Sequence, residues 1–83
     1  MPYNQSLLDE LNLLSQFSLE STQSGIKVHH TAAQEMIDAA KRLHDKGLIT
    51  QDDGGYLTPL GRDALEHSEA LIMILTTESR QPI

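Results

Sequence analysis

The residues of this 83-residue chain that could do chemistry are four histidines, a group of cations in its middle third and two adjacent aspartates. Lys27, Lys41, Arg42 and Lys46 are four of the six basic residues, and cations gathered in one region are what phosphate contacts with nucleic acid require. His29 and His30, with His44 or His67, offer imidazole ligands to a metal. Neighbours on a strand point to opposite faces, however, so the adjacent pair cannot readily share one ion. No spacing among the four matches a ligand box, and neither a metal nor a cofactor is expected. His67, on an apolar helical stripe, reads as a core histidine bonded through one nitrogen. Catalysis has less to work with: no serine sits in a nucleophile elbow and no glycine-rich phosphate loop is present. Glu66 and Glu69 read as a solvated helix face. The expectation is a protein without enzymatic activity.

A few elements must carry these residues. Residues 6–17 read as a first helix, with Ser6 as N-cap and Asp9 three residues on. Leu7, Leu11 and Leu14 make its apolar stripe, which Leu8, Leu13 and Phe17 widen. Residues 18–25 are rich in Ser, Thr and Gly, which compete with helix formation, and are expected to form a loop. Ile26, Lys27, Val28 and His29 alternate apolar and polar as a short strand does. Residues 31–46 are the best-defined helix, with Thr31 and Gln34 as a capping box and four alanines favouring the helix. Its buried stripe is expected at Ala33, Met36, Ile37, Ala40, Leu43 and Gly47.

Gly47 can adopt the positive φ common at a helix C-terminus. Leu48, Ile49 and Thr50 then run extended, residues 52–55 carry turn chemistry, and Tyr56, Leu57 and Thr58 return as a second strand. Thr58 caps a last helix that has Pro59 in its first turn and runs to about residue 77. Residues 71–75, Leu-Ile-Met-Ile-Leu, are apolar for more than a full turn. One wall of one small core cannot cover them all, so Leu71, Ile72, Met73 and Leu75 are the candidate interface of a homodimer.

The length fits one domain, residues 1–83, with residues 1–5 and 79–83 as flexible tails. A chain of this size buries only about 60% of its unfolded surface, and a partner subunit would help it. There is no cysteine, so neither a disulfide framework nor a thiolate metal site is available. The formal net charge is -6, and an acidic chain does not attract nucleic acid as a whole. The amino terminus lacks the pattern of a secretory signal and the longest apolar run is too short to span a bilayer. A cytoplasmic location with no membrane partner is expected.

Helix, glycine stop, hairpin and proline-started helix are written here as LHDKGLITQDDGGYLTPLGR over residues 43–62. This stretch resembles the winged helix-turn-helix transcription regulators of the MarR/PadR type, in which a helix ending in a KGLI phrase precedes a wing hairpin that closes on LTPxGR. The resemblance is close over about a quarter of the chain and loose over most of it. It implies an α+β, winged-helix-like fold: three main helices, a small antiparallel wing hairpin and a third short strand. Carried over by position, residues 31–46 would be the recognition helix, residues 50–57 the wing, and Lys27, Lys41, Arg42 and Lys46 the contacts to nucleic acid.

Two assignments stay open before the wing. Residues 26–29 are the first strand, leaving one helix where the family has two, or residues 18–24 are the first helix of the pair. Glu35 and Asp38 on the recognition helix and Asp52 and Asp53 at the wing tip oppose a phosphate backbone. The sequence phrase supports, as the leading function, a dimeric regulatory module of the DNA-binding type, and the acidic residues support its principal rival. The rivals are a protein–protein interaction domain that keeps the scaffold without the DNA chemistry, and a metal- or ligand-responsive sensor. The chain is also similar to a small family of uncharacterised bacterial proteins of about this length.

Overall fold

Asn4 starts the first helix, α1 (Gln5–Leu14), by accepting the Leu7 amide on its side-chain oxygen at 2.9 Å. The computed structural model describes residues 2–20 and 24–77. After α1 come β1 (Ile26–Lys27), α2 (Gln34–Asp45), β2 (Ile49–Gln51), β3 (Gly54–Leu57) and α3 (Pro59–Leu75). The strands form one antiparallel sheet in the order β1-β3-β2. Three helices, a hairpin and a third short strand make the α+β, winged-helix-like layout expected from the sequence.

Several boundaries differ from the expected ones, each for a local reason. Asn4, not Ser6, is the N-cap, so Asn4 and Gln5 belong to the helix and not to a flexible tail. α1 stops at Leu14 and the chain turns, with the Phe17 amide donating to the Leu14 carbonyl at 3.0 Å. β1 is only two residues long. Val28 makes one further backbone bond, to the Asp53 carbonyl at 2.7 Å, and the chain then turns as the Ala32 amide bonds to the His29 carbonyl at 2.9 Å.

That turn removes Thr31 from a capping position. α2 begins at Gln34 with Ala33 as N-cap and no side-chain cap bond, so the expected capping box does not form. Ala33 and Gly47 are exposed, and Ala39 joins Ala40 and Leu43 as the buried residues of α2. Among the described residues, α2 is the one helix between β1 and the hairpin, and residues 18–20 and 24–25 are not helical. The remainder of the alternative first helix, residues 21–23, lies outside the described residues, as does the expected tail at 79–83. α3 ends at Leu75, two residues before the expected end.

Gly47, at φ +81°, closes α2 as a Schellman motif. The Leu48 amide donates to the Leu43 carbonyl at 2.9 Å and the Gly47 amide to the His44 carbonyl at 3.0 Å. Thr58 then joins α2 to α3. Its hydroxyl donates to the Gly47 carbonyl at 2.5 Å and accepts the Gly61 amide at 3.0 Å, while its own amide donates to the Leu48 carbonyl at 3.0 Å. The first turn of α3 is thereby pressed against the end of α2, and a Cβ on Gly61 would run into the Leu48 carbonyl oxygen.

Beneath this junction lies the core: Leu13, Leu14 and Phe17 from α1 and its C-terminal turn, Ala39, Ala40 and Leu43 from α2, Ile49 from β2 and Leu65 from α3. The two glycines should respond differently to alanine. Gly61→Ala forces backbone apart and should destabilise by about 3 kcal/mol. Gly47→Ala meets no atom within 4 Å but keeps the positive φ, for about 1 kcal/mol. Urea denaturation of both variants, compared at equal m, measures the difference.

Candidate interaction surfaces

Two surfaces stand out: the cationic side of α2 with the hairpin, and the far end of α3. The first is decided by a buried carboxylate. Glu10 falls on the apolar face of α1, between Leu13 and Leu14 on the helical wheel, and is only 5% exposed. A carboxylate held there needs cations and hydrogen bonds to offset lost hydration. Arg42 Nε reaches Glu10 Oε2 at 3.0 Å, and Lys46 Nζ reaches Glu10 Oε1 at 2.5 Å. Arg42 also donates from Nη2 to the Ser6 carbonyl at 3.2 Å. Arg42 and Lys46 thus bind α1 to α2, four residues apart on one face of α2.

A third cation is engaged on the hairpin. Lys27 Nζ lies 2.5 Å from Asp53 Oδ2, so the end of β1 is tied to the turn between β2 and β3. Lys41 is exposed, and no ion pair forms on it among the described residues. Of the four residues expected to contact nucleic acid, two therefore meet at Glu10, one meets Asp53 and one faces solvent. Between the hairpin and α2 a shallow cleft of about 240 Å³ brings Lys27 and Lys41 together with His29, His30, Asp52 and Asp53. Among the described residues, no group of three or more His, Asp and Glu is placed to hold a metal ion.

The second surface is apolar. α3 has seventeen residues and α1 ten, so at 1.5 Å per residue α3 is the longer by about 10 Å. Gly61 and Leu65 are buried, whereas Leu71 is 43% exposed and Ile72, Met73, Ile74 and Leu75 are 59–70% exposed. Where α1 and α3 diverge they leave a groove of about 770 Å³, with Leu11 and Ala64 in it and Tyr3, Asn12, Ser15 and His67 around it. His67 is exposed, not in the core as expected; its Nδ1 lies 2.7 Å from the Asp63 carbonyl and its ring borders the groove.

Sequence reasoning missed Glu10, the pairing of Asp53 with Lys27, and the groove. A signal for Glu10 was present, since a carboxylate between leucines on the apolar face of a helix needs polar partners. Its partners lie 32 and 36 residues away, and no local pattern identifies them.

Two predictions follow from the ion pairs. Glu10→Ala removes the carboxylate from Arg42 and Lys46, leaving Arg42 only the Ser6 carbonyl, and should cost about 2 kcal/mol by urea denaturation, discounted because both cations reach solvent. Lys41→Ala should stay within about 0.5 kcal/mol. The hydrogen bond between Lys27 and Asp53 holds the Asp53 carboxyl below its ordinary range and the Lys27 ammonium above its own. The contact therefore persists through neutral pH. It is lost as pH falls through the depressed Asp53 value or rises through the raised Lys27 value. Amide shifts of Lys27, Val28 and Gly54 should move together as pH falls through the depressed Asp53 value, and Asp53→Asn should abolish that acid movement.

Comparison with known proteins found no match among curated proteins and none among solved structures. One family profile matches, that of the Family of unknown function (DUF5669), over residues 1–76. That match spans nearly the whole chain, which belongs to the DUF5669 family.

Proposed function

We propose that this protein is a non-enzymatic, cytoplasmic protein-interaction module on a winged-helix-like scaffold, and that it acts as a homodimer joined through α3. The observation that carries the reading is the uncovered end of that helix. Leu71 is 43% exposed and Ile72, Met73, Ile74 and Leu75 are 59–70% exposed, a contiguous apolar run of the kind that marks an interaction site, unlike singly scattered surface residues.

A second copy fits this surface electrostatically as well. The chain is acidic, yet residues 70–77 carry no charge, so two copies can meet there without bringing carboxylates together. Nucleic acid is served less well by the opposite surface. Arg42 and Lys46 are held by Glu10, Lys27 by Asp53, and Glu35, Asp38 and Asp45 share α2 with the remaining cation. Phosphate neutralisation supplies essentially all non-specific affinity, and Lys41 alone supplies little of it.

The DNA-binding regulator remains the second reading, favoured by the cleft that gathers Lys27, Lys41, His29 and His30 beside α2 and the hairpin. Two measurements separate the readings. Sedimentation equilibrium should give twice 9.2 kDa for the wild type and the monomer mass for Ile72→Glu or Met73→Glu, with unchanged circular dichroism. An amide-shift titration with a mixed-sequence DNA duplex at low salt should leave Lys27, Lys41 and the hairpin unmoved. A monomeric wild type, or shifts at those residues that fade as salt rises, would overturn the proposal.

A further inference from the structure

The face of α3 that packs on its own chain does not end where the packing ends. Gly61, Ala64 and Leu65 lie on the side turned to the body, the first and last of them buried. At 100° per residue the same face continues through Ser68, Leu71, Ile72 and Leu75, spaced i, i+3, i+4 and i+7. Beside it Leu11, Asn12 and Ser15 of α1 line the groove. Among the described residues, this face is buried at Gly61 and Leu65 in its first half and largely exposed at Leu71, Ile72 and Leu75 in its second.

We infer that the α3 helices of two copies pair antiparallel about a twofold axis near Leu71 and Ile72, the apolar end of each seating in the other's groove between α1 and α3. The inference rests on the self-association proposed above and adds its geometry. A twofold interface uses the same patch on both copies. Leu71, Ile72 and Met73 of the helix end themselves line the groove, so each copy offers both halves of the contact. The groove, about 770 Å³, has room for several large aliphatic side chains, and Leu11 and Ala64 within it supply apolar contact.

Two features select antiparallel over parallel. The folded body sits at the N-terminal end of α3, so parallel helices would drive two bodies into the same space, while antiparallel helices place them at opposite ends. Charge points the same way. Parallel pairing would set Asp63, Glu66 and Glu69 against their own copies. Antiparallel pairing about Leu71 and Ile72 sets Glu66 near Thr77 and Glu69 near Ile74, and brings Leu75 beside Ser68.

The absence of cysteine from the chain makes the arrangement directly testable. Ser68→Cys and Leu75→Cys proteins, first confirmed dimeric by sedimentation, are mixed and oxidised mildly. The mixture should give disulfide-linked heterodimers in several-fold higher yield than either variant gives alone. Self-linking by each variant alone would mean parallel helices, and no enrichment in the mixture would mean a different surface; either overturns the inference while leaving the dimer standing. A monomeric wild type overturns the dimer itself. If a cysteine variant dissociates, isotope-filtered NOEs in a mixed labelled and unlabelled wild-type sample take its place. Intersubunit contacts of Leu75 with Ser68 and Leu11 are expected, and their absence from a proven dimer is the overturning result.

Discussion

A carboxylate withdrawn from water has to be met by charge, and Glu10 is met twice. Its two oxygens take Arg42 and Lys46 from α2, and Arg42 reaches on to the Ser6 carbonyl at the start of α1. The pairing settles the distance and rotation of α1 against α2, which is the largest helix contact in the fold, and the core closes beneath it with Leu13, Leu14, Ala39, Ala40 and Leu43. The side chains that could have faced a phosphate backbone are the ones that hold the helices together. Such a pair contributes modestly to net stability, because desolvation offsets much of the attraction, but removing one partner is costly.

The second constraint is the junction at Leu48, Thr58 and Gly61. Thr58 is bonded at once to Gly47, Leu48 and Gly61, so the end of α2, the hairpin and the start of α3 form one rigid corner. α3 therefore leaves the body in a fixed direction. Its buried residues, Gly61 and Leu65, are in the first turns, and Leu71 to Leu75 are exposed. A helix held at one end and apolar at the other is a surface presented in a defined orientation.

The local parts of this fold were legible in the sequence. Gly47 as a helix stop, the hairpin around Asp52 and Asp53, Thr58 with Pro59 as a helix start and the apolar end of α3 each depend on a few neighbouring residues whose conformational preferences are strong. The start of α1 was read two residues late because Ser6 and Asn4 are both competent caps and only the structure shows which is used. The start of α2 was misplaced because the turn at His29 takes up Thr31, a choice made by the β1–β3 pairing and not by Thr31 itself. His67 looked like core because its stripe does, yet a stripe is buried only where another element reaches it. The cations were read as a free patch because their anions arrive from α1 and from the far end of the hairpin, at sequence separations where periodicity carries no information.

The division of labour between the two surfaces follows from size. A chain this short cannot bury a large core, and the eight buried hydrophobic residues here come from one small cluster. The five apolar residues at the end of α3 are comparable in bulk to much of that cluster, and leaving them in water forfeits an important part of the hydrophobic stabilisation available to the sequence. In the dimer proposed above a symmetric partner would cover them with no additional sequence. It would do so along residues 70–77, which carry no charge, on a chain that is otherwise acidic.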